Sequence, residues 1–304
     1  MYPSYLNLVK SGEIKERIKR AKSLYGRCIL CPNVCKVNRT IHEVGKCGVG
    51  DVVKIASANL HFGEEPPISG KNGSGTIFFS GCTLECVFCQ NYPISQYLVG
   101  KEVSVEELSE KMIFLQERGA HNINIVTGTH FIPSILEALE IAVGKGFKIP
   151  IVWNTSGYEN KIALNLLNGI VDVYLPDIKY SFDHLAIKYS SAKSYVKINR
   201  RALIEMYRQV GDVEFFEDGT IKRGMIVRHL ILPNFIENSK KCLKFLAENF
   251  GDKIYISLMS QYFPAYKAPQ IEEISRGITE DEYEEVVEYA LELNLTNGWY
   301  QPFH

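Results

Sequence analysis

The chain has 304 residues, of which 46% are hydrophobic and 23% charged. That is the composition of a folded globular protein and excludes disordered, collagen-like and long coiled-coil classes. Lys and Arg total 34 against 35 Asp and Glu, a net charge of −1, so no global basic excess points to nucleic acid. No apolar run approaches the roughly 18 residues that a membrane span needs. The N-terminal stretch MYPSYLNLVKSGEIKERIKR lacks the apolar core of a signal peptide, and a cytoplasmic protein is expected. At about 150 residues per domain, the length suits two domains or one large α/β barrel.

In chain order, a helix is expected over 12–24, followed by four of the eight cysteines. The Pro/Gly-rich stretch GEEPPISGKNGSG, residues 63–75, is the clearest boundary. It divides a Cys-rich N-terminal module (1–70) from a second unit (71–304). Beyond it, TIFFS (76–80) reads as a short buried strand. Ser104 to Arg118 reads as a helix with a Ser104/Glu107 capping box. NINIV (122–126) is a strand, and Pro133 opens a helix ending near Gly144. IPIVWN (149–154) is a strand, with a helix over Glu159–Leu167. Another strand starts near Val171, and a long helix covers Ser194–Val210. MIVRHLIL (225–232) is a strand, Ser239–Phe250 a helix, and IYISLM (254–259) a strand. Thr279 and Glu282 cap a last helix reaching about Asn294. Six strand–helix units imply a parallel sheet with helices outside it, either doubly wound or a closed or partial barrel. In either case functional residues belong on loops at the carboxyl ends of the strands.

Seven cysteines fall between Cys28 and Cys89; the eighth, Cys242, lies in an amphipathic helix and reads as a small buried hydrophobe. A chain of this size needs no disulfide staples in reducing surroundings, so the clustered thiols point to metal or an iron–sulfur cluster. The loop GCTLECVFCQN follows the strand at 76–80 and carries Cys82, Cys86 and Cys89 in a C-x3-C-x2-C spacing. A [4Fe–4S] cube in an electron carrier takes four cysteines. Three would leave one iron open to chelate a substrate or cofactor. A zinc site completed by another ligand is the alternative. Upstream, Cys28, Cys31, Cys35 and Cys47 form C-x2-C-x3-C-x11-C, which suits tetrahedral zinc or a second Fe–S cluster equally. Phosphate-loop, dinucleotide and G-x-S-x-G signatures are missing.

The three-cysteine loop, its place after the first strand of the alternating region and Phe88 before its last cysteine resemble the radical S-adenosylmethionine enzymes. The resemblance covers roughly residues 76 to 296. It implies an α/β partial (β/α)6 TIM-like barrel preceded by the small Cys-rich module. It also implies a catalytic [4Fe–4S] cluster on Cys82, Cys86 and Cys89, whose open iron binds the amino and carboxylate groups of S-adenosylmethionine. Reductive cleavage of that cofactor would give methionine and a 5′-deoxyadenosyl radical that abstracts hydrogen. The protein's part is positioning and exclusion of side reactions.

Later motifs look like those of the pyruvate formate-lyase-activating enzymes. Thr127-Gly128-Thr129-His130 stands where that group has Gly-Gly-Glu, but without a carboxylate. Asn154-Thr155-Ser156-Gly157 resembles its Asp-Thr-Asn-Gly turn. Asp177-Ile178-Lys179 matches its Asp-Leu-Lys motif. The likeness implies that Phe88 lies by the adenine. It implies cofactor contacts from Thr127, Gly128, Thr129, Asn154, Thr155, Asp177 and Lys179, with Lys179 on the methionyl carboxylate. Ordinary turns and a structural Asp177–Lys179 ion pair are the plain alternatives. Arg228 and His229 must point to opposite faces of their strand, and His229 is expected to face inward as a cofactor contact. Gln261, Tyr262 and Tyr266 suit a substrate contact or an aromatic lid. By the same likeness, the substrate would be a glycyl residue of a partner enzyme, with reduced flavodoxin or ferredoxin as electron donor. A small-molecule or RNA substrate, or a non-catalytic zinc, Fe–S or electron-transfer protein, are the alternatives. The N-terminal cysteines, absent from the best-known activating enzymes, set this chain apart.

Overall fold

A computed structural model describes residues 1–303. Ten strands form one open sheet: β1 (Val53–His61), β2 (Ser74–Phe79), β3 (Lys101–Val103), β4 (Ile123–Val126), β5 (Ile151–Thr155), β6 (Val173–Pro176), β7 (Glu214–Phe215), β8 (Ile221–Leu230), β9 (Tyr255–Met259) and β10 (Gly298–Tyr300). Their order is β10-β9-β8-β6-β5-β4-β2-β1-β3, with β7 beside β8. The run from β2 to β10 is parallel throughout. β1 pairs antiparallel with both β2 and β3. Parallel strands adjacent in space are thus also consecutive in the chain, apart from the intervening short β3 and β7. A doubly wound sheet would reverse its order at a switch point; this one never does, and its two edges do not meet. The six expected strands are all present, in a partial barrel.

The crossover helices follow the sequence signals. α1 (Tyr5–Ser11) and α2 (Glu13–Ser23) precede the sheet, and two single turns, α3 (Pro66–Ser69) and α4 (Tyr92–Ser95), lie in loops. α5 (Val105–Glu117) starts at the Ser104/Glu107 capping box and α6 (Ile132–Gly144) at Pro133. α7 (Lys161–Leu167), α8 (Asp183–Ser190), α9 (Tyr195–Val210) and α10 (Ile236–Phe250) continue the alternation, and α11 (Glu280–Glu292) opens at a Thr279/Glu282 box. Such caps satisfy amide donors that a helix start leaves orphaned, each worth about 1 kcal/mol.

Two apolar clusters distinguish the faces of the sheet. The larger includes Ile77, Ile125, Trp153 and Tyr174 with the buried faces of the helices. The smaller has Val152, Val173, Leu175, Ile221 and Ile226 from strands, together with Ile68 of α3. Paired residues on neighbouring strands share a face, so the row Phe78, Val126, Asn154, Leu175 and Ile226 looks inward, away from the helices.

The expected boundary near residue 70 does not separate two cores. Tyr5, Ile14, Ile18, Cys28 and Leu30 are buried in the same cluster as the crossover helices, and β1 is hydrogen-bonded into the sheet. The Pro/Gly stretch of that boundary folds across the inner face, where Ile68 is fully buried and Asn122 Nδ2 donates to its carbonyl at 2.8 Å. No helix among the described residues is long and apolar enough to cross a membrane.

Candidate active site

The loop after β2 is placed by close backbone approaches. Gly81 has φ +85°, and a Cβ there would lie 2.5 Å from the carbonyl oxygen of Cys47, so only glycine fits. The Glu85 and Val87 amides donate to Ser190 O and Tyr189 O at the end of α8, at 3.1 and 2.9 Å, and the Lys267 amide donates to Val87 O at 2.9 Å. Each sulfur has its own polar neighbour. The Leu84 amide donates to Cys82 Sγ at 3.4 Å, Ser190 Oγ donates to Cys86 Sγ at 3.0 Å, and Ser95 Oγ lies 3.2 Å from Cys89 Sγ.

All three thiols are free. Burial pushes Cys82 well up and Cys86 up to about 11, and the ammonium of Lys179 opposes the rise in both. Cys82 and Cys86 are therefore neutral thiols until a metal displaces the proton, and Lys179 offsets the negative charge that follows. Three free thiols on one loop, each with a polar neighbour and with Lys179 to offset their charge, are a soft donor set that fits an iron–sulfur cluster.

Beside the loop, the inner face carries a charged network. Arg228 on β8 donates from Nε to Asp177 Oδ1 at 2.9 Å and from Nη2 to Asn154 Oδ1 at 2.6 Å; Nη1 lies 3.8 Å from Glu64 Oε2. Lys179 Nζ donates to Asp177 Oδ2 at 2.5 Å. Burial alone would raise Asp177, but the Arg228 and Lys179 charges prevail and hold it below the usual carboxylate range. Glu64 shifts the other way: burial raises it, only partly countered by Arg228. Of the polar groups buried without hydrogen-bond partners among the described residues, two lie beside this network, the side-chain amide of Asn124 and Glu65 Oε2. Asn154, Asp177 and Lys179 are thus joined through Arg228 and the Asp177–Lys179 ion pair. Glu64, Glu65 and Asn124 were not singled out, because the first two sit in a stretch that reads as a boundary and the third in an ordinary strand pattern.

His229 departs from expectation. Its Nδ1 lies 2.6 Å from Ile178 O and its Nε2 2.8 Å from Ser239 Oγ on α10. It faces the helices, and Arg228 faces inward. The parallel bridge between Asp177 and Arg228 fixes that parity; alternation along the strand could say only that the two side chains oppose each other.

The first two turns also differ in detail from a simple cofactor cradle. Thr129 and Thr155 each donate to Glu159 Oε1 at 2.6 Å, and Trp153 Nε1 donates to the same atom at 3.4 Å. Trp153 lies in the cluster shared with the helices, so the two hydroxyls are engaged on the outer side. Gly128 packs there as well, where a Cβ would lie 2.4 Å from Ile125 Cγ2. Thr127 takes φ +58°, with its amide donating to Asn154 O at 2.9 Å. Phe88 is buried edge-on to Tyr262 at 5.9 Å, and Tyr266 stacks on Tyr92 at 5.2 Å. Gln90 Nε2 donates to Gln261 O at 3.0 Å. Residues 261–267 therefore brace the cysteine loop. Cys242 is fully buried in α10, as expected.

A cavity of about 550 Å3 lies elsewhere, lined by Pro32 and residues of α7 and α9 on the outer side. It touches neither the cysteine loop nor Arg228.

Residues 76–213 match the radical SAM superfamily. An uncharacterized protein of Methanocaldococcus jannaschii is 32% identical over 298 residues, covering 95% of this chain and 82% of that one. Among solved structures, SuiB of Streptococcus suis bound to S-adenosylmethionine aligns with TM-score 0.50 and 14% identity over 73% of this chain. SuiB bound to its precursor peptide SuiA aligns with TM-score 0.51 and 13% identity over 72%. The chain spans about half the length of SuiB, 48% and 46% in the two structures. At such identities the likeness is one of fold. The superfamily implies a [4Fe–4S] cluster and S-adenosylmethionine, in keeping with the three free thiols after β2. Residues 76–213 are thus a radical S-adenosylmethionine superfamily domain, and the chain as a whole belongs to one family with the Methanocaldococcus jannaschii protein.

Proposed function

We propose that the chain is a radical SAM enzyme that removes a hydrogen atom from a peptide-like substrate held on the inner face of the sheet, as a glycyl residue of a partner enzyme would be. The single observation that carries this reading is the Arg228-centred network at the mouth of the cysteine loop, with a buried, unpartnered Asn124 amide on the same face. A cluster with bound S-adenosylmethionine supplies reductive carbon–sulfur cleavage and the radical that takes the hydrogen. Cys82, Cys86 and Cys89 would hold it. Lys179, kept in its ammonium form against burial chiefly by the Asp177 carboxylate, would receive a carboxylate there. Asp177, fixed by both cations, orients Lys179 and Arg228. The Asn124 amide faces the Glu64 carboxyl without a well-formed bond, and a side-chain amide carries the same donor and acceptor pair that a peptide group presents. Leaving such a group unmet costs about 1–3 kcal/mol, so a substrate that satisfies it gains affinity.

Anaerobically reconstituted protein, supplied with a low-potential reductant and S-adenosylmethionine, should form methionine and 5′-deoxyadenosine. A glycine-containing peptide deuterated at Cα should pass deuterium into the 5′-deoxyadenosine, and Asn124→Leu should weaken that transfer while cleavage itself persists. Cleavage without transfer from any peptide would refute the peptide reading, and no cleavage at all would refute the enzyme.

A further inference from the structure

Four thiols lie outside the site just described. Cys28, Cys31 and Cys47 are buried and Cys35 is partly so; none is in a disulfide. They gather around one turn. A Cβ on Gly45 would lie 3.0 Å from Cys35 Sγ and 3.7 Å from Cys47 Sγ. The strand-like exchange of Cys28 N with Val37 O and Lys36 N with Cys28 O, both at 2.9 Å, closes the loop that carries Cys31 and Cys35. That loop is strained: Val34 sits at φ +43° and Lys36 at +61°. Backbone strain of that kind, on the order of 1–3 kcal/mol per residue, persists where its surroundings demand it.

The sulfurs are also provided with donors. Arg39, buried to 1% exposure, donates from Nη2 to Cys47 Sγ at 2.6 Å and from Nη1 to His130 O at 2.7 Å. Asn33 Nδ2 lies 3.7 Å from Cys31 Sγ. Arg39 also donates to Gly50 O at 3.1 Å and lies over the Tyr25 ring, and its buried charge beside Cys47 would compensate an anionic thiolate centre there. Four such thiols suit tetrahedral zinc or an iron–sulfur cluster alike; what favours the cluster is their position against the Cys82 loop, where a redox-active centre can pass electrons and zinc cannot.

The two sets touch. Asn33 Nδ2 donates to Thr83 O at 2.7 Å, and Cys47 O closes on Gly81. The residues on both sides of Cys82 thus contact the N-terminal thiol loops.

We propose that Cys28, Cys31, Cys35 and Cys47 hold a second iron–sulfur cluster, not a zinc ion, directly beside the Cys82 loop. The test is iron, acid-labile sulfide and zinc content of the full chain carrying Cys82→Ala, Cys86→Ala and Cys89→Ala, after anaerobic supply of iron and sulfide. It should retain about two to four irons with matching sulfide, the content of a four-cysteine cluster, and show a reduced-cluster electron paramagnetic signal. About one zinc without sulfide, or a folded protein with no metal, would overturn the assignment. Should that variant not fold, Cys31→Ala with Cys35→Ala in the otherwise native chain should lose the same number of irons. Iron content equal to the unaltered chain's would then overturn it. Both counts are independent of S-adenosylmethionine cleavage, so failure of the proposed activity leaves this result standing.

Discussion

Replacing Arg228 with Met removes the cation on which the inner network closes. Asp177 would keep Lys179 but lose the 2.9 Å bond from Arg228 Nε, Asn154 would lose its 2.6 Å partner, and Glu64 the charge at 3.8 Å. Arg228 and Asp177 are 17% and 12% exposed in their side chains, so water replaces little of what is lost. Removing one member of a buried ion pair costs about 3–5 kcal/mol. The loss should depend on pH. In the unaltered protein Asp177 is held below the usual carboxylate range, so its contribution is present above that range and does not titrate between pH 5.5 and 7.5. In the variant, burial goes unopposed by Arg228 and the carboxyl shifts upward. A group whose folded pKa is raised favours the fold at low pH, so the deficit should shrink as pH falls from 7.5 to 5.5. Urea unfolding of the metal-free protein, followed by circular dichroism at both pH values, measures this. Arg228→Met combined with Asp177→Leu should recover part of the loss, with a coupling of about 0.5–3 kcal/mol. A single-variant loss under about 0.5 kcal/mol, or one equal at both pH values, would refute the reasoning.

His229→Gln should cost about 1–2 kcal/mol through its bonds to Ile178 and Ser239 while leaving S-adenosylmethionine cleavage by the reconstituted protein unchanged; loss of cleavage in a folded variant would place the ring inward after all. Burial raises Glu159, so stability should decline as pH climbs through its folded pKa, and Glu159→Gln should flatten that decline in thermal melts across pH 5 to 9. An unchanged slope would mean that Glu159 is ionised in its nest of hydroxyls. Gly81→Ala, at φ +85° and facing Cys47 O at 2.5 Å, should displace the cysteine loop and lower iron uptake on reconstitution; normal uptake would show the loop to be less constrained than its backbone suggests.

Much of the fold was legible because the parallel strands are short apolar runs between well-marked helix starts. Ser104/Glu107, Pro133 and Thr279/Glu282 fixed three helix beginnings to within a residue. β1 was missed: Val53 and Ile55 alternate with Lys54, but the rest of the strand is only half-buried, and its antiparallel partner is far from obvious in an otherwise parallel pattern. β10 is three residues long and was equally silent. At the site, clustered cysteines and the Asp177-Ile178-Lys179 spacing are local signals and survive without coordinates. Which of Arg228 and His229 faces inward depends on register with β6, a non-local fact. Glu159 was hidden for the same reason, since its partners Thr129 and Thr155 come from two different strand ends. Glu64 and Glu65 were obscured by the Pro/Gly composition around them, which signals a turn but not what the turn covers.

The central claim, that the Cys82 loop makes this chain a radical SAM enzyme, is tested most directly by S-adenosylmethionine cleavage. Anaerobically reconstituted wild type and the Cys82/Cys86/Cys89 triple alanine variant would be compared under one reductant, with iron and sulfide counted in each. Wild type should release methionine and 5′-deoxyadenosine in equal amounts, and the folded variant should release neither and carry about four fewer irons. Equal product from both, or a wild type that takes up no sulfide, would contradict the account.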